Sequence, residues 1–376
     1  MNVAIFGAGI AGLASAITLQ LRGHRCRIYE RSRQAHQAGM GFIVMPEGVE
    51  LLESFGVCLK DNLQRVWLDR YCHRNAAGEI AHEKAMPVST CLRRCDLVAA
   101  LLRASPASDC LVHGAELDHV EFEAGGSVAS CVLASGARIE ADLYVAADGT
   151  RSRAREALFP RWPAPTARVS EVVGLVRSDE VRRWTGNNFN KLHDPKGGLA
   201  LGVLPVDAHH VVWFLQFDAL RFPISRELTD GSAAEARRAV VEELVGGWAH
   251  PIPSLLAATD FSRVHLWRPV DSALVPRFYR RNLALTGDAA HPLLPFTSQG
   301  VSSAIADAVV LAREMNGSRP GDGLERALAR YSMDRHAQRA PYVAQGRELM
   351  EHFLKPLPVD ATVLPLAVTI GASTLV

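Results

Sequence analysis

The chain opens on a nearly unbroken apolar run, Asn2-Val-Ala-Ile-Phe6, the pattern of a strand buried on both faces of a parallel sheet. Apolar residues then recur at helical spacing through Leu13, Ile17 and Leu21 to a stop at Gly23, and Cys26 to Tyr29 reads as the next strand, ending in Glu30. Helical spacing returns at Val49, Leu51, Leu52 and Phe55, up to Gly56. Trp67 to Ala85 reads as two strands around Asn75-Ala-Ala-Gly78, a hairpin pattern, and Thr90 to Leu102 passes into an apolar-periodic helix. Cys110 to Ile139 is strand-like and broken by Gly125-Gly126 and Ser135-Gly136, as in a small meander. From about Ala164 the character changes, with strand-like runs at Val169 to Val176, Leu199 to Leu204 and His210 to Phe217, then a helical stretch near Ala233 to Trp248. The last part holds an apolar strand, Leu283 to Thr286, a Gly-Asp turn, a Pro-rich loop and a long helix opening near Gln299 and Gly300. Amphipathic helices are expected at Leu324 to Tyr331 and Arg335 to Phe353, with their arginines on a solvated outer face.

This order predicts an α/β protein with a Rossmann-like first domain over residues 1–163, including the small meander. A mostly antiparallel sheet over 164–270 would roof a pocket, and 271–376 would complete the first domain with C-terminal helices. On the strand around Trp213, alternation puts Trp213 on one face and Phe214 and Gln216 on the other; which face lines the pocket stays open.

Composition removes several classes of function. A formal net charge of +1, without any Lys/Arg run, gives no electrostatic case for nucleic acid. Seven cysteines, an odd number, argue against a disulfide framework, and no second Cys or His pair at zinc spacing follows Cys91 and Cys95, so no metal is expected. The first strand starts too early to leave room for a signal peptide, and no run reaches the roughly 18–20 apolar residues of a membrane span, so a cytoplasmic protein is expected. The apolar tail, Ala361 to Val376, is interrupted by Pro365 and Gly371 and is expected to pack on the body or on a second subunit; a monomer or homodimer fits.

Between the first strand and its helix lies Gly7-Ala-Gly9-Ile-Ala-Gly12, and Glu30 closes the second strand roughly 20 residues on, the dinucleotide fingerprint in its proper context. The first glycines allow a tight turn and close approach of the backbone to a pyrophosphate, Gly12 lets the helix pack on the strand, and Glu30 can take a ribose hydroxyl. Far along the chain, Asp288 at the end of a strand can accept bonds from ligand hydroxyls while the helix opening at Gly300 and Val301 offers donors and a positive dipole end.

Gly287-Asp288-Ala289-Ala290-His291, then Pro295, Gln299-Gly300 and Asp307-Ala308, resembles the second flavin motif of the single-component FAD monooxygenases related to p-hydroxybenzoate hydroxylase. Asp148-Gly149, followed by Arg151 and Ser152, resembles that family's middle motif, and Glu30-Arg31 its Glu-Arg pair. Arg94, in Arg94-Cys-Asp96-Leu97, fits the register of the family's Arg that reaches the flavin side of the site; Arg93 does not. The sequence departs from the family at Ser298, Ser302 and Ala306, and at Glu47, where Pro46-Glu47 stands for Pro-Asn; the segment Gly39 to Gly48 reads equally as a loop beside the flavin or as an ordinary helix start.

The resemblance implies FAD held by Gly7, Gly9, Ile10, Ala11, Gly12, Glu30, Arg31, Arg94, Asp148, Gly287, Asp288, Gly300 and Val301. It further implies reduction by NADH or NADPH, bound transiently because there is a single fingerprint, and reaction with O2 to a flavin C4a-hydroperoxide that hydroxylates a small aromatic or N-heteroaromatic ring. Substrate contacts are expected from Trp213, Gln216, Phe296 and Thr297. His291 and Pro295 are the candidates nearest the chemistry, with His209 and His210 as looser ones, and no general base is assigned. The alternatives are a flavoprotein of the same fold with other chemistry, an isoprenoid reductase or a halogenase, and an FAD-binding protein without turnover.

Overall fold

The computed structural model describes residues 1–33, 40–59, 64–104, 110–163, 166–223 and 234–356. Gly39, Ala164, Ala233 and the tail from Ala361 lie outside them.

The Rossmann-like layer is a six-stranded sheet in the order β16-β17-β10-β1-β2-β6. Its strands are β1 (Asn2–Phe6), β2 (Arg25–Glu30), β6 (Leu111–His113), β10 (Leu143–Ala146), β16 (Tyr279–Arg280) and β17 (Leu283–Leu285). The central pairings, β1 with β2 and β10, and β10 with β17, are parallel. The reason is in the residues: β10 and β17 are buried along their whole length, so neither has a polar face to offer water. Helices α1 (Ile10–Gln20) and α8 (Gly300–Met315) pack together over this sheet, sealed by Thr18 Oγ1 donating to the Ala308 carbonyl at 3.0 Å. The meander is the separate sheet β7 (Leu117–Phe122), β8 (Val128–Leu133) and β9 (Arg138–Ile139). Residues 111–113, which read as its beginning, join the parallel sheet instead, beside β2.

The second layer is an eight-stranded sheet, β15-β11-β14-β13-β12-β4-β5-β3. It draws on both sides of residue 163: β3 (Gly41–Val44), β4 (Arg65–Arg74) and β5 (Ile80–Arg93) come from the first segment. From the second come β11 (Val169–Arg177), β12 (Asn188–His193), β13 (Leu199–Pro205), β14 (His210–Asp218) and β15 (His265–Trp267). Strand β12, which the sequence pattern did not single out, joins the two groups by pairing parallel with β4 and antiparallel with β13. Alternation gives the sheet two faces. Leu192, Leu201, Val203, Trp213, Leu215 and Phe217 form one apolar cluster on the back, with residues of α5 (Asp179–Thr185), α6 (Ala234–Val245) and α7 (Ile252–Ala258). Tyr71, Phe189, Leu204 and Phe214 cluster on the front.

Helices α2 (Pro46–Ser54) and α3 (Arg94–Ala104) touch both layers, through α8 and β5 and through α1 and β5, while α4 (Arg153–Leu158) packs on β7 of the meander. The C-terminal part holds one correction. Where two helices were expected there is a single one, α9 (Asp322–Leu354), of 33 residues. The stretch at 332–334 reads as a break, but Ser332 is buried, its Oγ accepting from the Phe278 N–H at 2.9 Å, and Arg335 just after it is wholly buried, while Met333 faces solvent. The arginines of this helix are therefore not all solvated, since Arg339 is buried as well.

Candidate active site

The glycine-rich turn is shaped by sterics. Gly7 has φ +104° and leaves no room for a side chain, whose Cβ would sit 2.3 Å from the Ala147 carbonyl; at Gly12 a Cβ would fall 1.9 Å from the Gly7 oxygen. At Gly9 the space is open, its nearest neighbour being Arg94 Nη2 at 3.8 Å. Backbone can thus approach a ligand at Gly9, while Gly7 and Gly12 make the turn tight enough to present it. Glu30 is mostly buried, its carboxylate accepting from Ala8 N–H and Ser32 N–H at 2.8 Å each, which fixes the acid at the rim of the turn. Ile10 and Ala11 follow at the start of α1, and Arg31 is exposed beside Glu30.

The adjacent arginines divide their work. Arg93 makes the helix-start ion pair, its Nε and Nη2 reaching Asp96 at 2.8 and 3.3 Å. Arg94 is left to face Gly9 and the charge field of Asp288.

Asp148 and Asp288 come from the ends of neighbouring strands, β10 and β17, so the parallel sheet brings together two acids far apart in sequence. Burial raises the Asp148 carboxyl, opposed by bonds from Ser152 and the start of α4; Oδ2 accepts from the Ala154 N–H at 3.3 Å and Oδ1 is buried without a protein partner. Asp288 is exposed but sits in a recess, where removal from bulk water raises its carboxyl and His291, Arg94 and Arg155 draw it back. A residue missed in the sequence, Arg155, ties the two motifs: its Nη1 donates at 3.0 Å to the carbonyls of both Asp288 and Ala289. Nothing in the sequence separates it from Arg151 and Arg153, its neighbours at the start of the same short helix.

The Gly287 turn is anchored from behind. Asp307 of α8, wholly buried, accepts the Gly287 N–H at 2.7 Å and the Arg335 Nε at 2.7 Å, and its Oδ2 lies 2.7 Å from His291 Nε2. Burial pushes the Asp307 carboxyl up, but His291 and Arg335 outweigh it and hold it well below the usual carboxylate range. His291 thus sits at 2% exposure as a support of the turn, and Pro295 opens a short 3-10 turn, Pro295–Thr297. Next to it, Ser298 takes the left-handed conformation at φ 53°, Gln299 Nε2 is buried without a partner, and the position of a Cβ at Gly300 is open. Val301 is half-buried. Ser302 accepts from the Met45 N–H at 3.2 Å, joining α8 to the start of α2.

Among the expected substrate contacts, Trp213 is a correction. It lies in the back cluster, fully buried, with Nε1 donating to Thr259 Oγ1 at 3.1 Å, because alternation pairs it with Leu215 and Phe217. Gln216 and Phe214 face the front. Phe296 is buried against Phe353, with ring centroids 5.5 Å apart, and Thr297 is buried beside Gly346. His210 is held by Asp207, which it approaches at 2.9 Å, and His209 is exposed nearby.

The features fit FAD on the structure's own terms: an open Gly9 and Gly300, a buried unpartnered oxygen on Asp148 and nitrogen on Gln299, and a carboxylate exposed in a recess. A parallel sheet with this fingerprint, together with the groups it leaves for FAD, defines a flavin-dinucleotide-binding protein. The family model described as FAD binding domain matches residues 1–345. The chain belongs to this family and is an FAD-dependent monooxygenase of the group related to p-hydroxybenzoate hydroxylase. It is 28% identical over 378 residues to 3-amino-4-hydroxybenzoate 2-monooxygenase of Streptomyces cremeus, covering 95% of this chain and 88% of that protein. It is 27% identical to 6-hydroxynicotinate 3-monooxygenase of Pseudomonas fluorescens, covering 83% and 82%. The crystal structure of Klebsiella pneumoniae HpxO complexed with FAD and uric acid matches with a TM-score of 0.81 at 25% identity, covering 94% of this chain and 89% of that one.

Proposed function

We propose that this chain hydroxylates a small aromatic or N-heteroaromatic ring with NADH or NADPH as reductant and O2 as oxidant. FAD, when bound, supplies the chemistry of hydride acceptance and oxygen activation. The protein's share is positioning and electrostatics. Glu30 and the Gly9 backbone hold the nucleotide end, and Arg94, Asp148 and Asp288 receive the polar chain between nucleotide and ring. The start of α8 at Gly300 and Val301 directs free N–H groups and the positive dipole end at developing negative charge. The front of the eight-stranded sheet, with Phe214, and the Phe296 loop exclude water from the ring.

The observation that carries this reading is the meeting of Asp148 and Asp288 around Arg155, with Arg94 beside Asp288 and with Asp148 Oδ1 and Gln299 Nε2 left for a ligand. The relatives whose names state hydroxylated or aminated ring acids support the substrate class. The test is oxygen uptake with NADH and NADPH across a panel of ring acids, phenols and purines, followed by the mass of the product made under 18O2. One labelled oxygen in a ring product is expected. Reduced nicotinamide consumption that no ring compound stimulates, yielding only peroxide, would sink the proposal.

A further inference from the structure

We propose that Lys191 is the anion anchor of the substrate site: its ammonium takes the oxyanion of an acidic aromatic ring and is held for this by Gln216 and Glu171. The inference rests on the ring-hydroxylase reading. By alternation Phe189, Lys191 and His193 of β12 share a face, and Gln216 of β14 and Glu171 of β11 meet Lys191 on it. Lys191 Nζ donates to Gln216 Oε1 at 2.6 Å, and Gln216 Nε2 donates to Glu171 Oε1 at 2.5 Å. The amide cannot be turned round, since an ammonium only donates and a carboxylate only accepts. All three side chains are buried.

As a structural element this string is a poor choice. Buried ions lose their hydration, and an apolar set of the same volume would commonly do as well or better for stability. An ammonium has three donors, and Gln216 Oε1 is the one acceptor it meets among the described residues. Three aromatic rings also stand round it: Phe296, Phe214 and Phe353 lie 5.5, 5.8 and 5.8 Å from Nζ. Such rings tolerate a cation without neutralising it and pack well against a flat ligand. Phe296 lies on the loop between the Asp288 turn and the start of α8, so the cation borders the elements that hold the cofactor. The string also leaves a sequence signal: Glu171 and Lys191 are charges within the buried stretches of largely apolar or uncharged strands, away from the exposed Arg177 at the end of β11.

Burial pushes the Lys191 ammonium down to about 8 against the pull of Glu171, and pushes Glu171 up to about 7, so charge on this string is held weakly and is open to replacement by a ligand's own. His193, 3.4 Å from the Tyr71 hydroxyl, is kept neutral by burial, then by Lys191 and His73, and adds no competing positive charge.

The test uses the FAD-loaded protein and reads ligand binding from the flavin absorption spectrum, with two pairs of probes: 4-hydroxybenzoate against its methyl ester, and 4-nitrophenolate against 4-nitroanisole. The wild type is expected to bind the charged member of at least one pair tenfold or more tightly; the first pair identifies a carboxylate, the second a phenolate. Lys191→Met should bring that ratio to within twofold while moving the neutral member's Kd less than threefold, and Lys191→Arg should keep it. Glu171→Gln, which removes the competing carboxylate, should raise the preference threefold or more and serves if Lys191→Met loses its flavin. No charge preference in the wild type, a ratio that survives in Lys191→Met, or a weaker preference in Glu171→Gln overturns the proposal. Charge discrimination without ring hydroxylation would refute the ring-hydroxylase reading instead, whereas hydroxylation with an unchanged ratio in Lys191→Met refutes only the anchor.

Discussion

Asp307→Asn keeps the shape of a wholly buried side chain and removes its charge. The carboxylate accepts the Gly287 N–H and the Arg335 Nε at 2.7 Å each and lies 2.7 Å from His291 Nε2. At about 1.5–3 kcal/mol for each charge-assisted bond, three contacts would sum to roughly 5–9 kcal/mol if they were independent. An Asn oxygen can still accept one of them, and Arg335 keeps the Ser303 carbonyl at 3.1 Å, so the loss is better taken as that of one uncompensated buried cation, about 3–5 kcal/mol. That is a large share of the roughly 5–15 kcal/mol that holds a domain folded. Urea unfolding of the FAD-free protein at pH 7 should show it, and dialysis should strip FAD from the variant at least tenfold more readily, because the Gly287 turn loses its anchor. The pH dependence has a definite sign. The folded carboxyl lies well below its unfolded value near 3.8, so its stabilisation is complete above that value and is lost progressively as pH falls from there toward the folded value. The gap between wild type and variant should be flat from about pH 5 to 8 and close below about pH 4. A gap under about 1 kcal/mol at pH 7, or one that widens toward pH 4, would refute the reasoning.

Other outcomes separate the fold from the site. Gly12→Ala places a Cβ 1.9 Å from the Gly7 oxygen and should give insoluble or FAD-free protein, whereas Gly9→Ala and Gly300→Ala meet no protein atom closer than 3.8 Å and should keep the wild-type melting temperature without FAD while binding FAD at least tenfold more weakly. Trp213→Ala should cost about 3–5 kcal/mol in chemical unfolding, as a core truncation, and a change in ring preference with stability intact would contradict its place on the back face. Lys191→Met should alter the pH profile of stability: burial lowers the lysine to about 8 from 10.5, the unfolded chain therefore binds more protons between those values, and the wild type should gain stability relative to the variant as pH rises from 8 to 10.5. Thermal unfolding of both proteins across that range checks it.

The turns proposed to hold the cofactor were legible because they depend on local geometry. A strand, a tight glycine turn and a helix start are fixed by neighbours in sequence, so Gly7, Gly9, Gly12 and Glu30 could be read directly, as could the Asp148 and Asp288 turns. What could not be read depends on which side chains meet across elements. Arg155 and Arg335 look like surface arginines until the folded chain buries them against Asp288 and Asp307, more than 130 and 28 positions away respectively. The helix reads as two, broken between Tyr331 and Arg335, for the same reason, since Phe278 and Asp307, the partners of Ser332 and Arg335, lie on other elements.

The sequence by itself determined the α/β plan, the nucleotide fingerprint and the alternation that separates Trp213 from Phe214 and Gln216, because each follows from periods of two or 3.6 residues along one segment. Only the tertiary structure decided which of those faces is core. It also decided that β3, β4 and β5 complete the second sheet and that Glu171, Gln216 and Lys191 form one buried string. Pairing between strands distant in sequence is chosen by the summed burial of whole faces, a quantity that no single segment carries.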